Sequence, residues 1–286
     1  MNVVVLRRRK LGHTSCMAIK QFSNSNVKVV RNDKLEGLEK PDLLVRWGCT
    51  SELDSKNTLN KAKNITLANN KILCRELFLE EGISTPALYK EFKDYVYPCV
   101  VRPVNHSQGK EFYYCENLTE LFAAIDTLKN KGKEYYISQY IPKEREFGVF
   151  VFNDRVTSMI EKMPKDEEAK EAHAWNVAQG THTFENINWS DWNIDVCKVA
   201  LQAMKAVGLD FGRVDVIVDN EGKPYVLEVN SAHSLTSEYR QQIFAKCLDY
   251  YIENGKVKNE LNFDNIDSFK GLIHPAIRVN QKGYNL

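Results

Sequence analysis

No stretch of this chain approaches the roughly 20 apolar residues that a membrane-spanning helix needs. The amino terminus carries only a short apolar piece, Val3 to Leu6, and then charge. A secretory leader would run in the reverse order, with a longer apolar core and small residues at a cleavage point. Charge of one sign is missing too. The 39 Lys and Arg against 38 Asp and Glu leave a formal net charge of +1, which supplies no bulk attraction for nucleic acid or an anionic membrane. The run Arg7-Arg8-Arg9-Lys10 is a local exception and reads as a solvated loop. The seven cysteines (Cys16, Cys49, Cys74, Cys99, Cys115, Cys197, Cys247) are odd in number, scattered and without a CxxC pair. That favours reduced thiols in a cytoplasmic protein over a disulfide framework or a zinc site. Internal repeats, low-complexity segments and a P-loop signature are also absent.

What remains is an ordinary globular composition. With 286 residues, 43% hydrophobic and 27% charged, the chain is long enough for two or three lobes around a substantial core. The first part alternates short apolar runs with helical stretches. Asn2 to Leu6, Val27 to Arg31 and Leu43 to Arg46 read as strands of a small parallel sheet. Thr14 or Ser15 is positioned to cap a helix over Cys16 to Phe22. Asn69 to Glu81 reads as an amphipathic helix with Ile72, Leu73, Leu77 and Phe78 on one side, stopped by Gly82 and Pro86. A strand–loop–strand–helix–strand unit follows: Pro98 to Pro103, Phe112 to Cys115, Leu118 to Lys131 (Leu121, Ala124, Ile125 and Leu128 inward) and Glu134 to Ile141. An antiparallel meander then uses Phe147 to Phe152, Arg155 to Met163, Asp210 to Val218 and Pro224 to Asn230. Helices at about 195–207 and 237–254 complete it, with a wrapping tail of some thirty residues.

The strongest chemistry lies in FGRVDVIVDNEGKPYVLEVNS, Phe211 to Ser231. Two apolar strands flank the turn-forming Asn220-Glu221-Gly222-Lys223 and should pair as a hairpin. Alternation puts Glu228 and Asn230 on one face and Leu227 and Val229 on the other. Asp215 sits inside the partner strand. Carboxylates in apolar strands cost several kcal/mol unless something positive neutralises them. Two carboxylates and an amide oxygen make a hard-oxygen site suited to Mg²⁺ beside substrate phosphates. Ion pairs with Arg213 and Lys223 satisfy the same residue types equally well.

VVRPVNHSQGKEF, Val100 to Phe112, places Arg102 at a strand end before a loop with Ser107, Gln108, Gly109 and Lys110. A cation plus the N–H groups of a flexible turn can hold phosphates; an exposed Arg beside a hairpin turn is the plainer reading. ISQYI, Ile137 to Ile141, followed by Pro142, reads as a strand ending at a hinge, where backbone groups can meet an adenine edge or simply end a strand. Glu146 beyond it either reaches a ribose hydroxyl or faces solvent.

In this order the segments resemble the ATP-grasp superfamily, especially ligases akin to those that add glutamate to ribosomal protein and those that make D-Ala-D-Ala. The resemblance covers roughly Asn69 to Glu238. It rests on NKILCRELFLEEGISTP before the lid, VVRP then HSQGK where the family reads VVKP then a Gly-rich loop, SQYI where it reads QEYI, and Asp215 followed by Glu228-Val229-Asn230. It implies an α/β (α+β) ATP-grasp fold: a small N-terminal parallel α/β lobe over 1–65, an ATP-grasp domain over 66–255 with a central lid lobe at about 95–140 and a C-terminal antiparallel-sheet lobe, and a tail over 256–286. It further implies ATP, with Mg²⁺ or Mn²⁺ on Asp215, Glu228 and Asn230. Arg102 takes the place of the lid lysine on the α/β phosphates, a planar fork replacing a point charge. Gln139, Tyr140 and Ile141 fall at the adenine, Glu146 near the ribose, and Lys71 near the nucleotide. Ser107, Gly109 and Lys110 close over the phosphates.

The activity implied is an ADP-forming ligase that activates a small carboxylate as an acyl phosphate and joins it to an amine, from amino acids or a peptide, with neither nucleic acid nor membrane as partner. A homodimer fits the resemblance. Arg213, Arg240 and Asn176 are the residues expected at the reacting carboxylate, although Arg213 and Arg240 read more plainly as surface or ion-pair residues. Two departures mark the acceptor side. Ala174 stands where relatives often carry an Arg two residues before Asn176, and Ser231-Ala232-His233-Ser234 replaces the usual Pro-Gly turn. His233 is either near the acceptor amine or a polar loop residue, and Trp47-Gly48 either lines that pocket or packs. The missing Arg leaves open a non-catalytic ATP-binding module acting as a nucleotide sensor.

Overall fold

Runs that are apolar on both faces need cover on both sides, and the first strands have it. In the computed structural model, which describes residues 1–104, 111–175, 180–258, 261–263 and 269–277, β1 (Val3–Arg7) is buried along its length. It pairs in parallel with β2 (Val27–Arg31) and β3 (Leu43–Trp47), and β3 pairs in parallel with β4 (Asn57–Leu59), giving the order β2-β1-β3-β4. The connecting helix α1 (His13–Phe22) starts earlier than its polar residues suggest. Its cap is Gly12, with φ 74, rather than Thr14 or Ser15. A Cβ at Gly12 would lie 2.4 Å from Trp47 Cδ1, so the strand end and the helix start can meet only at a glycine. Ser15 Oγ instead accepts from Leu235 N–H at 3.0 Å.

A helix that is not expected, α2 (Ala62–Asn69), precedes the one expected over 69–81, which is α3 (Lys71–Glu80); the two are separated at Asn70, whose side chain accepts from Leu73 N–H. The buried side of α3 is Cys74, Arg75 and Phe78, whereas Leu73 is 49% exposed. Of the expected stripe Phe78 is buried and Leu77 packs on the same core; Leu73 misses it because this helix borders a polar cleft and turns Lys71 and Arg75 toward it.

A central sheet of order β5-β8-β6-β7 follows, from β5 (Leu88–Tyr89), β6 (Cys99–Pro103), β7 (Tyr113–Cys115) and β8 (Tyr135–Gln139). Helix α4 (Leu118–Asn130), N-capped by Asn117, buries Leu121, Ala124, Ile125 and Leu128 against Cys99, Val101 and Ile137 on one face of it. The other face carries Arg102 and Tyr136, which are paired across β6 and β8.

The largest sheet runs β11-β10-β9-β12-β13, built from β9 (Lys143–Phe152), β10 (Arg155–Pro164), β11 (His182–Ile187), β12 (Phe211–Asp219) and β13 (Pro224–Asn230), all antiparallel. A short helix α5 (Glu167–Glu171) lies between β10 and β11. Helix α6 (Ile194–Val207) is capped by Asn193, which accepts from two N–H groups, and ends at Gly208 with φ 75. It covers one face of the sheet, packing Val196, Ala200, Leu201, Ala203 and Met204 with Phe147, Val149, Val214, Val216 and Val229. Each such burial contributes about 1.5–3 kcal/mol for the larger side chains.

The opposite face splits in two. At one end Phe150, Phe152 and Phe211 join a core shared with Val3, Val5, Trp47 and the helix α7 (Glu238–Asn254), which packs beside α1. At the other end the same rows turn polar. A last short helix, α8 (Phe269–Leu272), leads to Ile273, which bridges Val156 of β10. Among the described residues no helix is long and apolar enough to cross a membrane, and the seven cysteines are buried thiols.

Candidate active site

The polar end follows from strand parity. Along β9 the residues Phe147, Val149 and Val151 enter the α6 core, so Glu146, Gly148 and Phe150 share the other face. On β12 the core takes Val214, Val216 and Val218, leaving Arg213 and Asp215 on that same outer face, opposite Phe150 and Gly148.

The β12–β13 hairpin is closed by Asp219, whose Oδ1 accepts from Glu221 and Lys223 N–H at 3.0 and 2.9 Å. Its register sets Arg213 against Asn230 and Asp215 against Glu228, then slips between Asp215 and Val216. The slip is a bulge, and it corrects the expected inward set. Val226 and Val229 are the buried pair and Leu227 is half-buried, because one extra residue resets the alternation. Glu228 and Asn230 do share a face. Asn230 Nδ2 donates to Glu228 Oε1 at 3.1 Å and to Asp215 Oδ2 at 3.3 Å.

Each carboxylate has a cation. Arg213 Nη2 donates to Asp215 Oδ2 at 2.9 Å and its Nε lies 2.8 Å from Oδ1. Room for that fork comes from Gly148, where a Cβ would lie 3.1 Å from Arg213 Cδ and 2.9 Å from Ile160 Cγ1. Lys71, the first residue of α3, sets Nζ 2.5 Å from Glu228 Oε2. The partner of Glu228 is therefore not Lys223, which lies over the Tyr225 ring at 5.1 Å. Burial, and then the Glu228 charge, push Asp215 up to about 6 despite Arg213. Glu228 moves the other way: burial opposes its charge, but the Lys71 ammonium and the Asn230 hydrogen bond hold it well below the usual carboxylate range.

Glu146 does not face solvent. It is 7% exposed, with Oε2 accepting from Lys143 Nζ at 2.7 Å and Oε1 from Lys162 Nζ. Burial raises its pKa less than these two ammonium groups lower it. Lys143 also lies over the Trp175 ring at 4.7 Å, and Lys162 donates to Trp175 O at 3.0 Å. Neither lysine is marked by sequence pattern. Their only signal is a Lys in an otherwise strand-like run, and the register that brings them to Glu146 is not local.

From the central sheet, Arg102 comes within electrostatic reach of Glu228 and Glu146 and lies 5.5 Å from the Phe112 ring. It is half-buried rather than an exposed turn residue; desolvation lowers its pKa, and Tyr136, then Glu228, raise it. At the hinge, Gln139 is engaged with Ala87 by both its N–H (2.8 Å to Ala87 O) and its side chain (3.4 Å from Ala87 N to Oε1). Tyr140 Oη meets His173 Nδ1 at 3.0 Å, and Ile141 is buried.

Arg240, in the first turn of α7, is not a surface residue. It donates to Asn186 Oδ1 and, at 2.6 Å, to Thr236 Oγ1, and stands 5.5 Å over the Phe150 ring. The Arg213 charge adds to burial in lowering its pKa. His233 lies in the loop between β13 and α7 but is buried in it. It is 4% exposed, caged by Trp47, Phe150, Phe211 and Phe244 at 4.8 to 6.4 Å, and burial followed by the Arg213 charge lowers its pKa to about 3. Trp47 packs, stacked on Phe211 at 5.4 Å. A Cβ on Gly48 would lie 2.5 Å from Ala232 Cβ, so glycine is what lets that strand end abut the segment after β13. Asn176, Ser107, Gly109 and Lys110 lie outside the described residues.

The donor set fits a hard divalent cation. Oxygens of Asp215 and Glu228 share one Asn230 amide within 3.3 Å, and carboxylate and amide oxygens are what Mg²⁺ prefers. No group of three or more His, Cys, Asp or Glu with metal-site spacing occurs among the described residues, so the trio depends on the amide. Around it the cations Lys71, Arg102, Lys143, Lys162 and Arg213 outnumber the carboxylates Glu146, Asp215 and Glu228. Such an excess suits a polyphosphate.

Comparison with known proteins gives ligases as similar chains. The chain is 26% identical over 197 residues to a D-alanine–D-alanine ligase of Hydrogenovibrio crunogenus (64% of this chain, 61% of the relative). It is 26% identical over 190 residues to a probable alpha-L-glutamate ligase of Enterobacter sp. (62% and 60%). These matches span about three fifths of the length of either relative. The fold is similar to that of the D-alanine–D-alanine ligase from Bacillus anthracis complexed with ATP, with a TM-score of 0.63 at 19% identity, covering 89% of this chain and 96% of that one. A RimK-like ATP-grasp domain matches residues 58–247, and the chain belongs to that family.

Proposed function

We propose that this chain uses ATP to activate a substrate carboxylate as an acyl phosphate and then joins it to an amine, releasing ADP and phosphate. The observation that carries the reading is the Asp215, Glu228 and Asn230 face, three oxygen-bearing side chains on one end of a sheet whose other end is aromatic core. In this reading the adenine lies against Tyr140 and Ile141 and the phosphates run along Arg102, Lys143 and Lys162 toward the carboxylates. Mg²⁺ held by Asp215, Glu228 and Asn230 supplies charge neutralisation of the terminal phosphates. Lys71 and Arg213, now paired with those carboxylates, are freed to hold phosphate oxygens as the site fills. Glu146 fixes the two lysines at its oxygens. Arg213 and Arg240 orient the substrate carboxylate for attack on the γ-phosphorus, and the covered site keeps water from the acyl phosphate.

The division at about residues 65 and 255, the central sheet as lid, a cytoplasmic location and small amino-acid or peptide substrates belong to the same reading. Relatives named for D-alanine and L-glutamate support the substrate class. Ala174, where an Arg would stabilise the acyl phosphate, favours the second reading of a nucleotide sensor without turnover. A screen of carboxylate and amine pairs for ADP release, with mass spectrometry of products, separates them. Ligation gives ADP only with particular pairs and a condensed product; ATP binding with no pair-dependent ADP is the sensor.

A further inference from the structure

Helix α3 carries two cations one turn apart, and among the described residues only one has a carboxylate partner. Lys71 has Glu228. Arg75 is 6% exposed, and among the described residues its Nε and Nη1 are buried without a hydrogen-bond partner. The guanidinium stands over the Tyr136 ring, 5.3 Å from its centroid. That ring covers one face of the cation but accepts none of its in-plane N–H groups. A buried guanidinium with unmatched donors is unfavourable unless an anion arrives to meet it.

The surroundings indicate which anion. Tyr136 is opposite Arg102 across β8 and β6, and the Arg75 charge adds to the burial that lowers the pKa of Arg102. Two guanidiniums therefore converge on the inner face of the central sheet, close to the carboxylates of the candidate site. Tyr136 is also three residues from Gln139 along β8, about 10 Å at 3.3 Å per residue. That is the span from a base held at the hinge to its first phosphates.

We infer that Arg75 is a further nucleotide-binding residue, gripping the α/β phosphates together with Arg102 and so selecting nucleoside di- and triphosphates over nucleosides. This rests on the nucleotide reading of the site. It accounts for a buried guanidinium whose Nε and Nη1 are unmatched among the described residues.

The test measures the affinities of ATP, ADP and adenosine for the full chain by calorimetry, and the unfolding midpoint of the nucleotide-free protein. In Arg75→Met, ATP and ADP weaken by about 10- to 100-fold, adenosine keeps its affinity, and the nucleotide-free protein melts higher because an unmatched buried charge is gone. Arg75→Lys recovers part of the ATP affinity. ATP affinity unchanged in Arg75→Met overturns this inference alone. So does a variant that melts lower and loses adenosine as much as ATP, the mark of a scaffold residue. A native protein that binds neither ATP nor adenosine overturns the nucleotide reading and this inference with it.

Discussion

Replacing Asp215 by Asn should make the empty protein more stable while abolishing its metal-dependent chemistry. The shift of Asp215 from 3.8 to about 6 means that the folded state disfavours its charge. At about 1.4 kcal/mol per pH unit, an ionised Asp215 at pH 7 destabilises the fold by roughly 3 kcal/mol. Asn is nearly isosteric and uncharged, so it removes that penalty; the repulsion from Glu228 and the attraction of Arg213 are both already contained in the shift. The net expectation is a gain of about 2–3 kcal/mol at pH 7.

The sign reverses the usual carboxylate behaviour. Because the folded pKa is raised, the penalty is absent below 3.8, grows as pH rises toward 6 and is constant above. The advantage of the variant therefore disappears by pH 4. Urea unfolding of both proteins at pH 7 and pH 4, alongside ADP release, measures this. A variant clearly less stable than the native protein at pH 7 would show that the Arg213–Asp215 pair is a structural ion pair rather than a strained site awaiting its guest.

Asn60 is buried in a left-handed conformation and ties β4 to β12, donating to Phe211 O at 2.9 Å and accepting from Asp210 and Phe211 N–H at 2.8 and 3.1 Å. Asn60→Ala should cost about 3 kcal/mol, read as a lower urea midpoint at unchanged slope. His233 and His274 are both pushed by burial to about 3. Below about pH 6.5 the unfolded chain takes up protons that these imidazoles refuse, so stability falls by about 1.4 kcal/mol per pH unit for each as pH drops from 6.5 toward 3. His274→Gln should make that decline shallower in urea titrations at pH 7, 6 and 5.

The hairpin from Phe211 to Asn230 is legible in the sequence because alternation, turn residues and embedded carboxylates agree there. Its bulge is not, so Leu227 and Val226 exchange roles. Where a helix borders a polar cleft, apolar periodicity is only partly right: Phe78 and Leu77 reach the core, but Leu73 is left outside while Arg75 goes in. Strands β4 and β5, with three and two residues, are too short to carry a period. The cage of His233 draws on Trp47, Phe150, Phe211 and Phe244, and the Arg240 contact to Asn186 joins residues 54 apart. Such partners are chosen by tertiary packing, which no local pattern encodes. The pairing of Glu146 with Lys162 is likewise a matter of β9–β10 register.

The carboxylate face is tested most directly by titrating ATP into the native protein and into Glu228→Gln, with Mg²⁺ and with a chelator. Native affinity should rise about tenfold or more when Mg²⁺ is present, and that increment should vanish in the variant while chelator-state binding persists. An equal Mg²⁺ increment in both proteins would contradict the assignment of Glu228 as a metal ligand.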